Sequence, residues 1–358
     1  MLGKLCLLIV WAASCTFVKN ITLNNQEEIF RLIAKTSAGL EDVLAQEISA
    51  LGAQNISMMT RAVAFDADKR LMYRANYELR TALRILKPVV SFTADNEHKL
   101  YDEIRKIEWQ QWLDIEKTFA IDGVVSGSRF NHSQYVALKV KDAIADQFRD
   151  RFGLRPSVNT YDPDLRINVH IQEDIVSLSF DSSGESLHKR GYRYNVDKAP
   201  ANEVLAAGLV LLSGWKGETP FVDAMCGSGT IPIEAAMIAM QIPAGYFRKA
   251  YGFMKWQDFD AQLWESVKTA ANEKMTDLQH EIFASDRSAR ATGIATQNFR
   301  NVHLHKDIRL FTKSMERLIP PPPPGVLIIN PPYGERLEES DIKALYTSIG
   351  DSLKQNFK

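Results

Sequence analysis

Two stretches of this chain carry residue types at spacings that could do chemistry. The first runs from Phe221 to Glu234 as Phe-Val-Asp-Ala-Met-Cys-Gly-Ser-Gly-Thr-Ile-Pro-Ile-Glu. It reads as a short buried strand, a glycine turn and the start of a helix. Gly227 and Gly229 lack a Cβ, so backbone N–H groups there can approach a ligand closely. The helix that follows offers its positive N-terminal end to an anionic group. Asp223 falls where the strand ends, the place where open α/β sheets bind ligands. The spacing is Gly-x-Gly, without the third glycine of the dinucleotide fingerprint, so a purely structural strand–helix turn fits it about as well as a ligand loop. The second stretch, Gly325 to Leu337, reads Gly-Val-Leu-Ile-Ile-Asn-Pro-Pro-Tyr-Gly-Glu-Arg-Leu. Its apolar run suits a parallel strand covered on both faces. Pro331 and Pro332 fix the backbone just beyond and cannot continue a ladder. On the residues alone, this is also what a strand-terminating turn with one exposed tyrosine looks like.

Together the two stretches resemble motifs I and IV of S-adenosylmethionine-dependent amino-methyltransferases. In that group the Asn-Pro-Pro-Tyr form marks enzymes that methylate a planar, conjugated nitrogen. The resemblance implies that Asp223, Cys226, Gly227, Ser228, Gly229 and Thr230 hold S-adenosyl-L-methionine. Asp286 closes the next expected strand, Glu281 to Asp286, where a carboxylate commonly binds the ribose hydroxyls of an adenosine. It lies too far past the glycine turn for a dinucleotide fold, and the long insert favours a methyltransferase over a dehydrogenase. The family often has an acid after the third strand, expected here at Arg309–Thr312. Lys313-Ser314 stands at that place, so Ser314 or backbone groups are expected to meet the adenine. The catalytic set implied is Asn330, Pro331, Pro332 and Tyr333. The Asn330 side-chain oxygen and the Pro331 carbonyl accept hydrogen bonds from the target amino group. Pro332 holds the turn, and Tyr333 stacks on an extruded base. No metal, covalent intermediate or strong general base is required. Cys226 has no His or acid beside it in sequence, and reads as a small packing residue rather than a nucleophile.

The rest of the chain must position these residues. With 358 residues, the chain has room for two or more domains. Hydrophobic residues make up 45% and charged residues 24%, which describes an ordinary globular protein. The net charge of −1 announces no global field for nucleic acid. The three cysteines fit neither a disulfide framework nor a zinc spacing. Strand and helix alternate from Phe30 onward. Strands are expected at 31–35, 62–65, 89–92 and 119–125, with helices around 40–51, 69–83 and 99–107 and from 133. A hairpin is expected from 167–170 and 175–180. This pattern predicts small α+β units on mixed sheets ahead of the nucleotide fold. Past the glycine turn, one long helical region is expected over 231–280. Within it, Tyr251, Phe253, Trp256 and Trp264 read as core rather than as a ligand cage.

Residues 29–182 resemble the ferredoxin-like segment and THUMP domain of bacterial ribosomal RNA methyltransferases. The resemblance is carried by Thr36-Ser37-Ala38-Gly39-Leu40-Glu41, by Asn131-His132-Ser133-Gln134-Tyr135 and by Asp164-Leu165-Arg166-Ile167. It implies an RNA partner, which the charge pattern does not show by itself. In the join at 183–198, Lys189, Arg190, Tyr192 and Arg193 interleave cations with aromatic rings. That suits phosphate contact and base stacking, or equally a solvated linker. The overall likeness is to the large-subunit rRNA guanine-N2 methyltransferases (the L-type enzymes). The expected fold class is α/β: an N-terminal α+β ferredoxin-like/THUMP region, then a Rossmann-like class I methyltransferase domain. The expected units are a leader (1–28), a ferredoxin-like segment (29–70), a THUMP-like domain (71–182), a linker (183–198) and a methyltransferase domain (199–358). The last ends inside a helix, about three strands short of a seven-stranded sheet. A non-catalytic THUMP-type RNA-binding or ribosome-assembly factor, or an enzyme acting on adenine N6 or protein glutamine, are the competing readings. Residues 1–20 look like a secretion signal, with Lys4 before an apolar run too short to span a bilayer. A cytoplasmic enzyme with a mis-assigned start fits the remaining chain better.

Overall fold

The computed structural model describes residues 28–127, 130, 132–193, 201–332 and 339–357. The leader, the linker from residue 194 on and Tyr333 therefore lie outside the described residues.

The N-terminal half alternates strand and helix as its periodicity requires. β1 (Phe30–Lys35) buries Leu32 and Ala34. α1 (Glu41–Ala50) returns Leu44 and Ile48 onto the sheet, while Val43 packs with Leu40 and Val204. β2 (Gln54–Met59) and β3 (Ala62–Ala67) follow. β2 was not legible in the sequence, because its residues are nearly all exposed and do not alternate. α2 (Lys69–Glu78) is capped by Asp68, whose carboxylate accepts from the Leu71 N–H at 2.6 Å. β4 (Arg84–Thr93) leads to α3 (Glu97–Lys106), capped in the same way by Asn96. β5 (Thr118–Ser126) precedes the long α4 (Ser133–Phe152), which stops at Gly153 in the left-handed conformation, φ 71°. β6 (Ser157–Val158), β7 (Leu165–Gln172) and β8 (Ile175–Asp181) complete the half. The expected hairpin is β7–β8, paired antiparallel from Ile167↔Phe180 to Gln172↔Ile175.

These eight strands form one sheet in the order β2-β3-β1-β4-β8-β7-β5-β6. Two apolar cores sit on it. One gathers Leu32, Leu44, Phe65, Tyr73 and Ile85 under α1 and α2. The other gathers Leu100, Ile104, Val140, Ile144, Ile167 and Val169 under α3 and α4. α2 and Ile85 of β4, which lie largely beyond the expected boundary at residue 70, belong to the first core. The sequence pattern could not show this, since it does not reveal which core a helix joins.

The second half begins with α5 (Glu203–Leu212), β9 (Phe221–Asp223) and α6 (Thr230–Ala239). The single long helix expected over 231–280 is instead two helices, α6 and α7 (Ala261–Asn272), separated by an irregular segment with a short 3₁₀ turn at Gly252–Lys255. Pro243 and Gly245 interrupt the helix, and Gly252 is there for close approach. A Cβ on it would lie 2.6 Å from the Asp181 carbonyl oxygen of β8. The insert folds back onto the N-terminal half. Tyr251, Phe253 and Trp264 are buried in the first core, with Phe253 stacked on Tyr73 at 4.3 Å and Trp264 edge-on to Tyr77 at 5.4 Å. They are core residues, as their irregular spacing suggested.

β10 (Ile282–Asp286), α8 (Ala289–Asn301), β11 (Ile308–Thr312), β12 (Val326–Leu327) and α9 (Glu339–Asn356) finish the described chain. β9 to β12 pair parallel in the order β11-β10-β9-β12. β12 is shorter than its apolar run predicts. It pairs over Val326 and Leu327, and Ile328 N–H adds one bond to Val222 O at 3.0 Å. As the edge strand of this sheet, it stays half-buried rather than covered on both faces. The α/β architecture expected from the sequence, a mixed sheet followed by a parallel nucleotide-type sheet, is the one observed. Among the described residues, no helix is long and apolar enough to cross a membrane.

Two arginines tie the halves together. Arg80, in the turn after α2, donates to the carbonyls of Met237 at 3.1 Å and Ile242 at 2.7 Å. Arg248, in the insert, donates to the carbonyls of Ser183, Glu185, Ser186 and Lys189 of the linker. Trp264 adds the apolar part of the same seam. Replacing it with alanine (Trp264→Ala) should lower the unfolding free energy in urea by about 3 kcal/mol or more. A change near zero would mean the insert does not brace the fold.

Candidate active site

The parallel sheet places four strand ends around one cleft of about 590 Å³. β9 delivers Asp223, whose side chain is fully buried. Its Oδ1 accepts from the Met225 N–H at 3.1 Å, while Oδ2 is buried with no hydrogen-bond partner among the described residues. Burial pushes this carboxyl up to about 8, against the pull of the Met225 N–H and with a further push from the Asp286 charge. The turn after β9 is pinned to β10 twice. Cys226 N–H donates to Ser285 O at 2.9 Å, and Gly227 N–H donates to Asp286 Oδ2 at 3.0 Å. Gly227 has φ 54° and open space where a Cβ would be, so its backbone is accessible from the cleft.

The expected site residues separate into groups. Asp223, Cys226, Gly227, Ser228, Thr230, Asp286 and Ser314 line the cleft, and Asn330, Pro331 and Pro332 line it from the β12 side. Gly229 does not. It has φ 83°, and a Cβ there would collide with the Phe299 ring, so packing against α8 demands this glycine. Cys226 is a packing residue. Burial, then Asp223 and Asp286, push its thiol far above the ordinary range, so it stays protonated.

One cleft residue escaped the sequence reading. No acid directly follows β11, but Glu316 stands two residues beyond Ser314, on the 3₁₀ turn Met315–Arg317. Hydrogen bonds from Ser314 and from the Ser348 hydroxyl of α9 hold its carboxyl below the usual range. The signal was there in Ser-Met-Glu-Arg, a serine cap followed by a short helical turn that carries the acid back to the strand end. Asn202, at the start of the second half, is also at the cleft. Its side-chain oxygen caps α5, accepting from Val204 N–H at 2.9 Å.

The linker differs from expectation. Of Lys189, Arg190, Tyr192 and Arg193, proposed as an RNA-binding set, only Lys189 is exposed. Arg190 is 2% exposed, and its guanidinium donates to the carbonyls of Leu187 and Arg80 beside the Glu234 carboxylate. The Tyr192 hydroxyl donates to Glu234 at 3.1 Å. Arg193 pairs with Glu203 at 2.6 Å and donates to the Thr230 hydroxyl at 3.0 Å. Their charges are met by acids on α5 and α6, which a composition count of the linker cannot see. The Arg190, Tyr192 and Arg193 side chains brace the glycine turn instead of facing a nucleic acid. Burial pushes the Glu203 carboxyl up to about 7, against the pull of Arg193.

Comparison with known proteins matches three parts of the chain to family models. Residues 31–86 match the RlmL ferredoxin-like domain, 94–181 the THUMP domain and 190–358 the RMKL-like methyltransferase domain. A provisionally assigned RNA methyltransferase of Synechocystis is 39% identical over 327 residues, covering 91% of this chain and 85% of the relative. A provisionally assigned methyltransferase crystallised with S-adenosylhomocysteine superposes with a TM-score of 0.82 at 30% identity, over 92% of this chain and 88% of the other. A Listeria monocytogenes protein provisionally assigned as an N6-adenine-specific DNA methylase does so with a TM-score of 0.82 at 32% identity, over 92% and 86%.

The buried Asp223 makes a pH prediction. Its folded carboxyl lies near 8 against 3.8 for an ordinary aspartate, so the folded state keeps a proton that the unfolded state releases. Its contribution to stability is complete below the unfolded value and is lost as pH rises through the folded one. Asp223→Asn keeps the shape and removes the ionisation. In urea unfolding without ligand, the variant's advantage over the natural protein should grow between about pH 5 and pH 8, by up to about 1.4 kcal/mol per unit. A difference that does not change with pH would place the carboxylate in an ordinary environment.

Proposed function

This chain belongs to the RMKL-like methyltransferase family that carries THUMP and RlmL-type ferredoxin-like domains, and from that premise we propose that it methylates the exocyclic N2 of a guanine in large-subunit ribosomal RNA. The coarser statement, an S-adenosylmethionine-dependent RNA methyltransferase, follows from the family. The finer one rests on the L-type first domain and on Asn-Pro-Pro-Tyr. The observation that carries the reading is one cleft in which Asp223, Gly227 and Asp286 meet Asn330, Pro331 and Pro332.

The residues present fit S-adenosylmethionine. Asp223 Oδ2 is an orphaned buried acceptor, and two carboxylates facing one cleft favour a cationic ligand. Asp286 ends β10, where a carboxylate suits ribose hydroxyls. Glu316 offers an acceptor suited to an adenine amino group. When bound, the cofactor supplies an electrophilic methyl group on a sulfonium.

The chain's own part is to bind and orient. A guanine amino nitrogen is a poor nucleophile, because its lone pair is delocalised into the ring. The Asn330 side-chain oxygen and the Pro331 carbonyl accept hydrogen bonds from its two N–H groups, which favours a tetrahedral nitrogen with the lone pair free. Pro332 keeps this turn rigid, so positioning supplies much of the rate. Tyr333 stacks on the extruded base. The proton leaves after transfer, so no strong base is needed. The reading implies action in the cytoplasm, where RNA and cofactor are found together.

The Listeria relative supports a second reading, adenine N6, because the same four residues serve that chemistry. Nucleoside mass analysis separates the two after incubation of the chain with cofactor and unmodified large-subunit rRNA. The first reading predicts N2-methylguanosine. N6-methyladenosine would replace it with the second, and no methylated nucleoside would overturn both. Asn330→Ala should lower kcat by about a hundredfold while leaving cofactor affinity unchanged, which calorimetry checks.

A further inference from the structure

A second cleft, of about 410 Å³, opens where the loop before β7, the linker and the insert segment 247–255 meet. It shares no lining residue with the first cleft. Its rim carries Tyr161, 85% exposed and without a ring contact to any described residue. The turn beneath that ring is held firmly. Asn159 Oδ1 accepts from the N–H groups of Tyr161 at 3.1 Å and Asp162 at 3.0 Å, and Asn159 Nδ2 donates to Asp162 O at 3.0 Å. Arg166 donates to the carbonyls of Thr160 at 3.0 Å and Tyr161 at 3.2 Å. A well-bonded turn thus holds an aromatic ring out in water, where it gains nothing from packing.

The charges around the ring leave room for an anion. The three carboxylates of the cleft are engaged. Asp162 pairs with Lys255 at 2.7 Å, Glu185 pairs with Lys189 at 2.7 Å, and Asp164 accepts from the Thr118 N–H at 2.8 Å. Lys249 is exposed and has no carboxylate partner among the described residues. The Lys189–Glu185 pair is more than half exposed on both sides, so it holds Lys189 only weakly against a competing anion. Arg248 fixes the cleft floor through its linker carbonyls.

We infer that this cleft binds an unpaired stretch of RNA, with a base stacked on Tyr161 and backbone phosphates at Lys189 and Lys249. An exposed ring calls for a planar partner and an unmatched lysine for an anion, and a single-stranded nucleic acid carries both at a regular spacing. A duplex keeps its base faces covered, so it cannot use the ring. The inference rests on the RNA reading above and extends it to a holding site apart from the reacting base.

The test is fluorescence anisotropy of the whole chain with labelled oligouridine, across a salt series. Tyr161→Ala should weaken binding by about tenfold with an unchanged salt slope. Lys249→Glu should weaken binding and lower the slope by about one. Neither should change S-adenosylmethionine affinity or the melting temperature. If both variants bind oligouridine as the natural chain does, the cleft is not the RNA site, although the RNA reading stands. If the natural chain binds neither oligouridine nor rRNA, both readings fall. Equal binding of a duplex, insensitive to Tyr161→Ala, would overturn the single-strand assignment.

Discussion

A carboxylate sealed into the end of β9, with one oxygen unpaired, is the constraint on which the catalytic half depends. Left alone, Asp223 is unfavourable when charged, because burial removes its water and Asp286 adds a like charge. Among the described residues, no lysine or arginine is placed to neutralise it. The surroundings hold it in place with one backbone N–H and leave the other oxygen bare. Such an arrangement favours the protonated acid without a cation and the carboxylate with one. The glycine turn, the β10 carboxylate and the β12 prolines are all set around that point.

The turn has to be held still for this to work, and much of the remaining chain does so. Arg193 joins the linker to Thr230 at the start of α6, while Arg190 and Tyr192 converge on Glu234 one turn further along. Arg80 reaches the far end of α6 from the ferredoxin-like unit. Removing one partner from such a buried set leaves an uncompensated charge, so each arginine depends on its acid. The aromatic plug of Tyr251, Phe253 and Trp264 anchors the insert into the first core. The N-terminal half is therefore a structural brace for the cleft, as well as the part that the THUMP match connects with RNA.

Residue types and spacing made much of this legible. The strand–turn–helix around Asp223 and the strand ending at Asp286 could be read locally, while their part in a ligand site, like that of the Asn-Pro-Pro run, came from the family resemblance. What failed was long-range. The linker cations look exposed in sequence, since the acids that bury them, Glu203 and Glu234, lie on later helices. Gly229 looks like a ligand glycine until Phe299 of α8 is seen against it. The insert reads as one helix because apolar residues recur through it, yet part of that apolar character serves a core more than 170 residues earlier, around Tyr73. Glu316 was overlooked because a 3₁₀ turn, not the strand itself, brings it to the cleft.

The most direct measurement is the proton balance of cofactor binding, by titration calorimetry of S-adenosylmethionine near pH 7 in buffers of different ionisation enthalpy. With its carboxyl near 8, Asp223 carries a proton in the free protein at that pH. A cationic ligand beside it should expel that proton. The account predicts saturable binding with net proton release, a large fraction of one proton per site, that disappears in Asp223→Asn. Binding enthalpies that do not depend on the buffer, or release that persists in the variant, would contradict it.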